Sequence, residues 1–525
     1  MQGRARQDRE LLDAGELAGH LVPEGSVFAF LAERRRELFP DSFTADLFTS
    51  STGRPSLPAD LVGSVLVLQA LLDLSDGQTA DALKFDIRWK VACGRSLTQV
   101  SFDPSTLVYW RKRIAQSDQP GRVFDAVGEV IAQTGVLRGR RKRVVDSTVL
   151  DDAVATQDTV TQLAAAIRRV ARVVPGAGEV VATVCRLDYS RPGKPAIDWD
   201  DPAAKQSLVS DLVTDALAVL AELTGPDAPQ REDAAADALG LLALVAGQDV
   251  EPAADSDGTD GRWRIARKVA CDRVISTVDT QARHTRKSKS VRRDGFRAHV
   301  AAEPGTGLIT GCAMTMAAGQ GSSDAENGVE LAAADRFGAG QDAPLEVYGD
   351  SHYGSGQARA DFAAAGHHTV IKPIPLRPAV PGGFTIDDFT LDEQAETVTC
   401  PAGHTRPITA KRRVTFGVVC AACPLRARCT TAKDGRSLEI HPHEHLLRAA
   451  RAQARTEAFK QAYRTRAVIE RIIAWTATSH GRRIKLRYHG TDKNNAWLHN
   501  RSAAINLRTL INAGLTRQAG AWAIA

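Results

Sequence analysis

The stretch "KRVVDSTVL", residues 142–150, decides how the rest of the chain is read. It is short and rich in β-branched residues, so it reads as a strand, with Asp146 in its middle. A carboxylate inside an apolar strand is costly if buried unless a cation or hydrogen-bond donors meet it. The reading therefore turns on which partners the remaining residues bring to Asp146.

Downstream the pattern changes. "QLAAAIRRVARVV", "KQSLVSDLVTDALAVLAELTG" and "EDAAADALGLLALVAG" are three Ala/Leu-rich helix patterns within 157–250, and "AADSDGTDG", 253–261, reads as a polar linker. Strand signals return at "RVISTVD". In "DGFRAHVAAEPGTGLITGCAMTMA" two apolar runs flank a Glu303–Gly307 turn, which predicts a hairpin. "SDAENGVELAAADRF" reads as a helix, and "LEVYGDSHYGS" as a buried strand running into a glycine-rich turn at Asp350. "GQARADFAAAG" and "HHTVIKPI" continue as helix and strand. With the 157–261 helical insertion set aside, the order is α/β with a mixed sheet. An acid at the exit of a central strand lies where active sites of open sheets form. The competing role for Asp350 is a helix N-cap, for which Ser355 is a rival.

Upstream, residues 1–125 read as helices, with a break at Ser75–Gly77. In "DPSTLVYWRKRI" Ser105 is the expected N-cap of a helix carrying Arg111, Lys112 and Arg113. A helical unit ending in a basic helix fits a helix-turn-helix DNA reader, and the alternative is a solvated helix face. Near the other end, "AYRTRAVIERIIAW", 462–475, reads as a helix with Tyr463, Arg466 and Glu470 on one face, beside an apolar flank.

With 525 residues the chain has room for two to four domains, and its 43% apolar share is that of a globular protein. A net charge of +5 does not announce a nucleic-acid binder, but basic residues cluster at 138–143, "RGRRKR", and at 283–293, "RHTRKSKSVRR". The N-terminus lacks the apolar core of a signal peptide, and the most apolar window, 61–74, is too short to span a bilayer. A cytoplasmic protein without a membrane partner is expected. No phosphate-binding G-x-x-x-x-G-K-[ST] loop occurs, and no G-x-G-x-x-G follows a strand.

Of eight cysteines, Cys93, Cys185, Cys271 and Cys312 are scattered and read as small core residues. Cys400, Cys420, Cys423 and Cys429 follow the spacing C-x19-C-x2-C-x5-C, which predicts a structural Zn²⁺ site. An iron–sulfur cluster would use the same ligands, and four reduced thiols are the plain alternative. His404, His441, His443 and His445 nearby read as exposed loop residues.

Two strand aspartates and a helical glutamate suit a pair of divalent ions, which serve phosphoryl transfer by activating the attacking oxygen and steadying the leaving one. These segments together resemble the DDE transposases of bacterial insertion sequences. The resemblance is to the branch whose glutamate helix reads Tyr-x2-Arg-x3-Glu, the insertion-sequence eleven-eighty-two group. "GRPSLPADLVGSVLVLQALLDLSDGQTADALKFDIRWKVACG" with "DPSTLVYWRKRI" is similar to its N-terminal helical region. "VVDSTVL", "VYGDSHYGSG" and "YRTRAVIERI" resemble its first-Asp strand, second-Asp turn and glutamate helix. "VISTVDTQARHTRKSKSVRRDGFRAHVAAEPGTGLIT" and "RRIKLRYHGTDKNNAWLHNRSAAINLRTL" resemble the segment after the insertion and the closing segment.

The resemblance implies a ribonuclease H-like core with Asp146, Asp350 and Glu470 as the catalytic triad holding two Mg²⁺ or Mn²⁺ ions. It implies Tyr463 and Arg466 on DNA phosphates near the cleaved end, where a guanidinium fork suits a phosphate. The structural alternative for these two is a packing tyrosine and an arginine paired within its helix. The family's lysine seven residues after the glutamate is Ala477 here, and Arg482, Arg483 or Lys485 is the candidate stand-in. Of the other acids, Asp151 and Asp152 read as solvated, Asp294 as a further competitor, and Asp279 as the second choice for a site role.

The division expected is a helical DNA-binding domain over 1–135, a core over 140–156 and 262–382, and an insertion over 157–261. A Cys-rich insertion over 384–445 and the glutamate and C-terminal helices over 446–525 complete it. The partners implied are double-stranded DNA, as element ends and target, and further copies of the chain, in the bacterial cytoplasm beside the nucleoid. The alternatives are a weakened or domesticated copy that only binds DNA, and a nuclease of the same core acting on RNA–DNA hybrids.

Overall fold

Strand β1, Lys142–Asp151, is the spine of a six-stranded mixed sheet in the computed structural model. The structure describes residues 1–4, 12–50, 52–225, 233–267, 270, 272–286, 290–338 and 344–525. The other strands are β2, Arg283–Arg286; β3, Arg292–Ala302; β4, Ile309–Met316; β5, Glu346–Gly349; and β6, His368–Ile371. On one side β1 pairs antiparallel with β3, whose far edge carries β4 along one part and β2 along the other. On the other side β1 pairs parallel with β5, and β5 with β6. The two faces bury separate residues, as the period of a strand requires. Val144 and Leu150 join a core that continues into the N- and C-terminal helices, while Val145 packs with Val347, Tyr353 and Phe362.

The β1–β5 pairing is short. It covers Lys142–Val144 against Glu346–Tyr348, and β1 then runs on alone along that edge. Extending the register by two residues sets Asp146 opposite Asp350, at the carboxyl end of the parallel pair. β1 is also where the sheet changes from antiparallel to parallel neighbours, so a crevice opens there.

The long C-terminal helix, Thr491–Asn512, packs against β4, against the N-terminal helix Ala59–Leu72 and against the helix Arg122–Thr134. Arg501 ties these together. Its guanidinium donates to the carbonyls of Ala70, Leu71, Trp475 and Thr478 at 2.7–2.8 Å. The N-terminal helices therefore share one continuous core with the sheet.

Residues 159–248 form four helices, Thr159–Val173, Ala177–Val184, Pro202–Thr224 and Asp233–Gln248, around their own apolar core. Two expectations are corrected beside it. "AADSDGTDG" is no linker: it is the loop between the paired strands Val250–Pro252 and Trp263–Ile265. "RVISTVD" forms an isolated bridge at Val274 rather than a strand. Glutamine side chains take the place of a neighbouring strand: Gln162 Nε2 donates to Val274 O, Gln248 Oε1 accepts from Val274 N, and Gln157 Oε1 accepts from Thr277 N. The Cys-rich stretch builds a three-stranded antiparallel sheet and a two-stranded one over another small core. No described helix is long and apolar enough to cross a membrane.

Candidate active site

Each acid reaches the crevice by a different local device. Asp146 stands on β1, and its Oδ1 accepts from Ser147 N at 2.8 Å. Asp350 follows β5 and caps the 3-10 turn Ser351–Tyr353 by accepting from His352 N. Ser355 caps the helix Gly356–Ala364 that follows, so the two rival caps serve successive elements. Arg359 on that helix donates to Gly354 O and Ile371 O, bracing the turn against β6. Gly328 matters here, because a Cβ would fall 2.7 Å from the Tyr353 ring that seats this turn.

Glu470 lies on the helix Val468–Ala477, whose Ile469 and Ile472 face the core while Glu470 faces solvent. The rod from which it projects is not one α-helix. The helix Glu457–Tyr463 leads through a 3-10 turn, Arg464–Ala467, into Val468–Ala477. The turn aims Arg466 into the crevice. Its guanidinium lies 2.8 Å from Asp146, 3.2 Å from Glu470 and 3.9 Å from Asp350. Tyr463 stacks on Phe459, ring centroids 5.5 Å apart. In this arrangement Arg466 is the counter-ion of the three acids.

Burial pushes the Asp146 carboxyl up to about 6, against the pull of Arg466 and the Ser147 amide, and the charges of Asp350 and Glu470 push the same way. Three carboxylates converging on one guanidinium form a site that favours a cation. The donor set suits Mg²⁺ or Mn²⁺. Among the described residues no group of three or more His, Cys, Asp or Glu side chains is arranged to hold a metal ion, and at this site the guanidinium is the cation held.

The far wall of the crevice brings together residues that the sequence offers only separately, Arg293 within the basic cluster 283–293 and Arg483 as a stand-in for the missing lysine. Arg293, Arg297, Asp324, Lys372 and Arg483 line it together with the triad. The signal lay in "RRDGFRAHV": Arg293, Arg297 and His299 share one face of β3, while Phe296, Ala298 and Val300 fill the core on the other. His299 is 1% exposed, with Nε2 3.0 Å from Thr315 Oγ1 and Nδ1 3.5 Å from Asp324. Burial drives its pKa down to about 4.

The basic helix Ser105–Ala115 is mostly engaged internally. Arg111 pairs with both oxygens of Asp76 and lies over the Tyr488 ring. Arg113 donates to Leu47 O and lies over Phe48, leaving Lys112 as the exposed member of the three. Ser105 is not the N-cap: Asp103 accepts from Ser105 N and Oγ. Ala477 is packed in the core at the end of the glutamate helix. Of the candidate stand-ins for the missing lysine, Arg483 is the one that lines the crevice.

Among the other acids, Asp152 is buried rather than solvated. Asp279 is seated away from the crevice, where it accepts from Gln281 N and Gly490 N. Asp294 accepts from Thr156 Oγ1 and meets His284 Nδ1.

Cys400, Cys420, Cys423 and Cys429 line one cavity, although they are not arranged as a metal site. Cys93 and Cys312 are buried as expected, Cys185 is half-buried, and Cys271 lies outside the described residues. His441 and His443 are half-buried rather than exposed, with His443 N donating to His441 Nδ1. His404 and His445 are exposed.

Two family models match the chain. One, described as "Transposase DDE domain", matches residues 399–511, and the other, "Transposase domain (DUF772)", matches 20–113. The first includes Glu470, Arg466 and the four clustered cysteines, and neither reaches Asp146 or Asp350. Together the matches support a transposase of the DDE kind, an enzyme that cuts DNA. No curated protein and no solved structure matches the chain.

Proposed function

We propose that this chain is an insertion-sequence transposase of the eleven-eighty-two group, cutting and joining DNA at the crevice where Asp146, Asp350 and Glu470 meet. The observation that carries the reading is the convergence of these three acids, from the middle of β1, the exit of β5 and a helix, on one cation. The strand order β4-β3-β1-β5-β6, antiparallel on one side of β1 and parallel on the other, supports a ribonuclease H-like core.

Asp146 and Asp350 would hold divalent cations from the sheet side and Glu470 from the helix side. Such ions, when bound, activate a water or hydroxyl oxygen and stabilise the departing one. The chain's own residues do the positioning. The parallel register fixes the spacing of the aspartates, and the Arg359 brace holds the Asp350 turn. Arg466 is the group that must leave the acids, and a DNA phosphate is the partner its fork fits. Binding of terminal inverted repeats, transfer of the freed 3′ end to target DNA, and action as a homo-oligomer on paired ends belong to the same reading. A structural Zn²⁺ beside the core belongs to the same reading on the C-x19-C-x2-C-x5-C spacing alone, since Cys400, Cys420, Cys423 and Cys429 line one cavity without being arranged as a metal site.

The competing reading, a copy that binds DNA without cutting it, rests on Ala477. The burial of that position weakens it, because a lysine there would start from the core rather than from the crevice. The deciding experiment compares cutting and binding of duplexes carrying the element ends. Asp146→Asn, Asp350→Asn and Glu470→Gln should each abolish cutting and leave binding intact. Retained cutting removes that residue from the triad.

A further inference from the structure

The crevice has a second pole that the triad does not use. Where β1 ends, Asp151 Oδ2 lies 2.8 Å from Arg293 Nη1 and 3.9 Å from Arg483 Nε. Arg293 comes from β3, which pairs with β1 in a register that sets Asp151 against Gly295. Arg483 comes from the tight hairpin Thr478–Arg483 that follows the glutamate helix, and it also donates to Val149 O. The hairpin is pinned to β1 by Leu486 N donating to Asp151 O at 2.8 Å. Two guanidinia from separate elements thus share one carboxylate.

The charge does not balance. One acid faces two permanent cations, so the cluster keeps a net positive charge. Burial and the neighbouring Arg293 both lower the Arg483 pKa, which marks repulsion between the two guanidinia that Asp151 does not cancel. Both arginines line the crevice that holds Asp146, Asp350 and Glu470, and both are about one-third exposed. A second anion can therefore reach them from solvent. A planar fork of donors matches the oxygens of a phosphodiester.

We propose that Arg293 and Arg483, preset by Asp151, form a DNA-backbone site that grips the strand beside the reacting phosphate. The site rests on the transposase reading and adds to it a binding position outside the triad and its helix. Because the contact is to phosphate, it is independent of base sequence and dependent on salt. Asp151 acts here as a spacer: it holds the fork open in the free protein and partly neutralises it.

The test is fluorescence anisotropy with a random-sequence DNA duplex, with affinity measured over a series of salt concentrations. Arg293→Gln and Arg483→Gln should each weaken binding and lower the slope of log affinity against log salt by about 0.9, and the double variant by about 1.8. Asp151→Asn keeps the side-chain shape and should strengthen binding, the direction opposite to that of a damaged fold. Arg517→Gln, on the C-terminal hairpin and outside the crevice, should leave both affinity and slope unchanged. Unchanged slopes in the arginine variants, or weaker binding by Asp151→Asn, overturn the proposal. The two readings fail separately. Wild-type protein that binds with these slopes but never cuts element ends removes the enzymatic reading and keeps the site. Cutting that survives with unaltered slopes in the arginine variants does the reverse.

Discussion

Replacing Arg466 with glutamine removes the one cation that the three acids share. The pair with Asp146 matters most, because both side chains are under one-fifth exposed and 2.8 Å apart. The Glu470 contact contributes little, since that carboxylate is two-thirds exposed and water screens it. Breaking a fully buried pair costs about 3–5 kcal/mol, so this partly open one should cost about 2–3 kcal/mol in metal-free protein. The site left behind is a cluster of carboxylates without a counter-ion, which should bind Mn²⁺ more tightly than wild type does. At a metal concentration about a hundredfold above the dissociation constant, binding returns about 2.7 kcal/mol. The assay is thermal unfolding at neutral pH, in chelator and across a Mn²⁺ titration. The variant should melt below wild type in chelator and gain more from Mn²⁺. Equal melting in chelator, with no larger response to Mn²⁺, would refute the view that arginine and metal compete for one site.

Other outcomes follow from separate parts of the structure. Arg501→Met should cost about 3–5 kcal/mol, because four carbonyls on three elements, buried or partly buried, lose a charged donor together, and chemical denaturation will read it. His299 is held neutral, with a pKa near 4 in the fold against an ordinary 6.5, so the unfolded chain binds the extra proton first. Its contribution is full above pH 6.5 and is lost as pH falls toward 4, and His299→Gln should flatten that acid limb in melts. Cys423→Ser should lower the zinc content of purified protein measured by atomic absorption, and unchanged metal would sink the zinc reading.

The sheet was legible because its strands are local and patterned. The valines beside Asp146, the Glu303–Gly307 turn and the glycines after Asp350 each signal their own conformation. "RVISTVD" was misread because its composition is that of a strand, while its hydrogen bonds go to glutamine side chains more than 100 residues away in the case of Gln157 and Gln162. Asp146, Asp350 and Glu470 are singled out by the order of motifs, and the approach of the two aspartates in space depends on the β1–β5 register, which only the fold supplies. Arg293 is legible only as part of the basic cluster 283–293 and Arg483 only as a stand-in for the missing lysine; far apart in sequence, they meet at Asp151, which only the fold supplies. Arg111 and Arg113 show the reverse: a run of basic residues that looked like a DNA contact is largely spent on Asp76, Leu47 and aromatic faces.

The most direct test of the central claim is cutting of a duplex carrying the element's own ends, in Mg²⁺ or Mn²⁺, by wild type and by Glu470→Gln. Metal-dependent nicking at the end by wild type, absent from the variant although it still binds, is the predicted result. Binding without nicking by both proteins would contradict it and leave a DNA-binding protein with an idle triad.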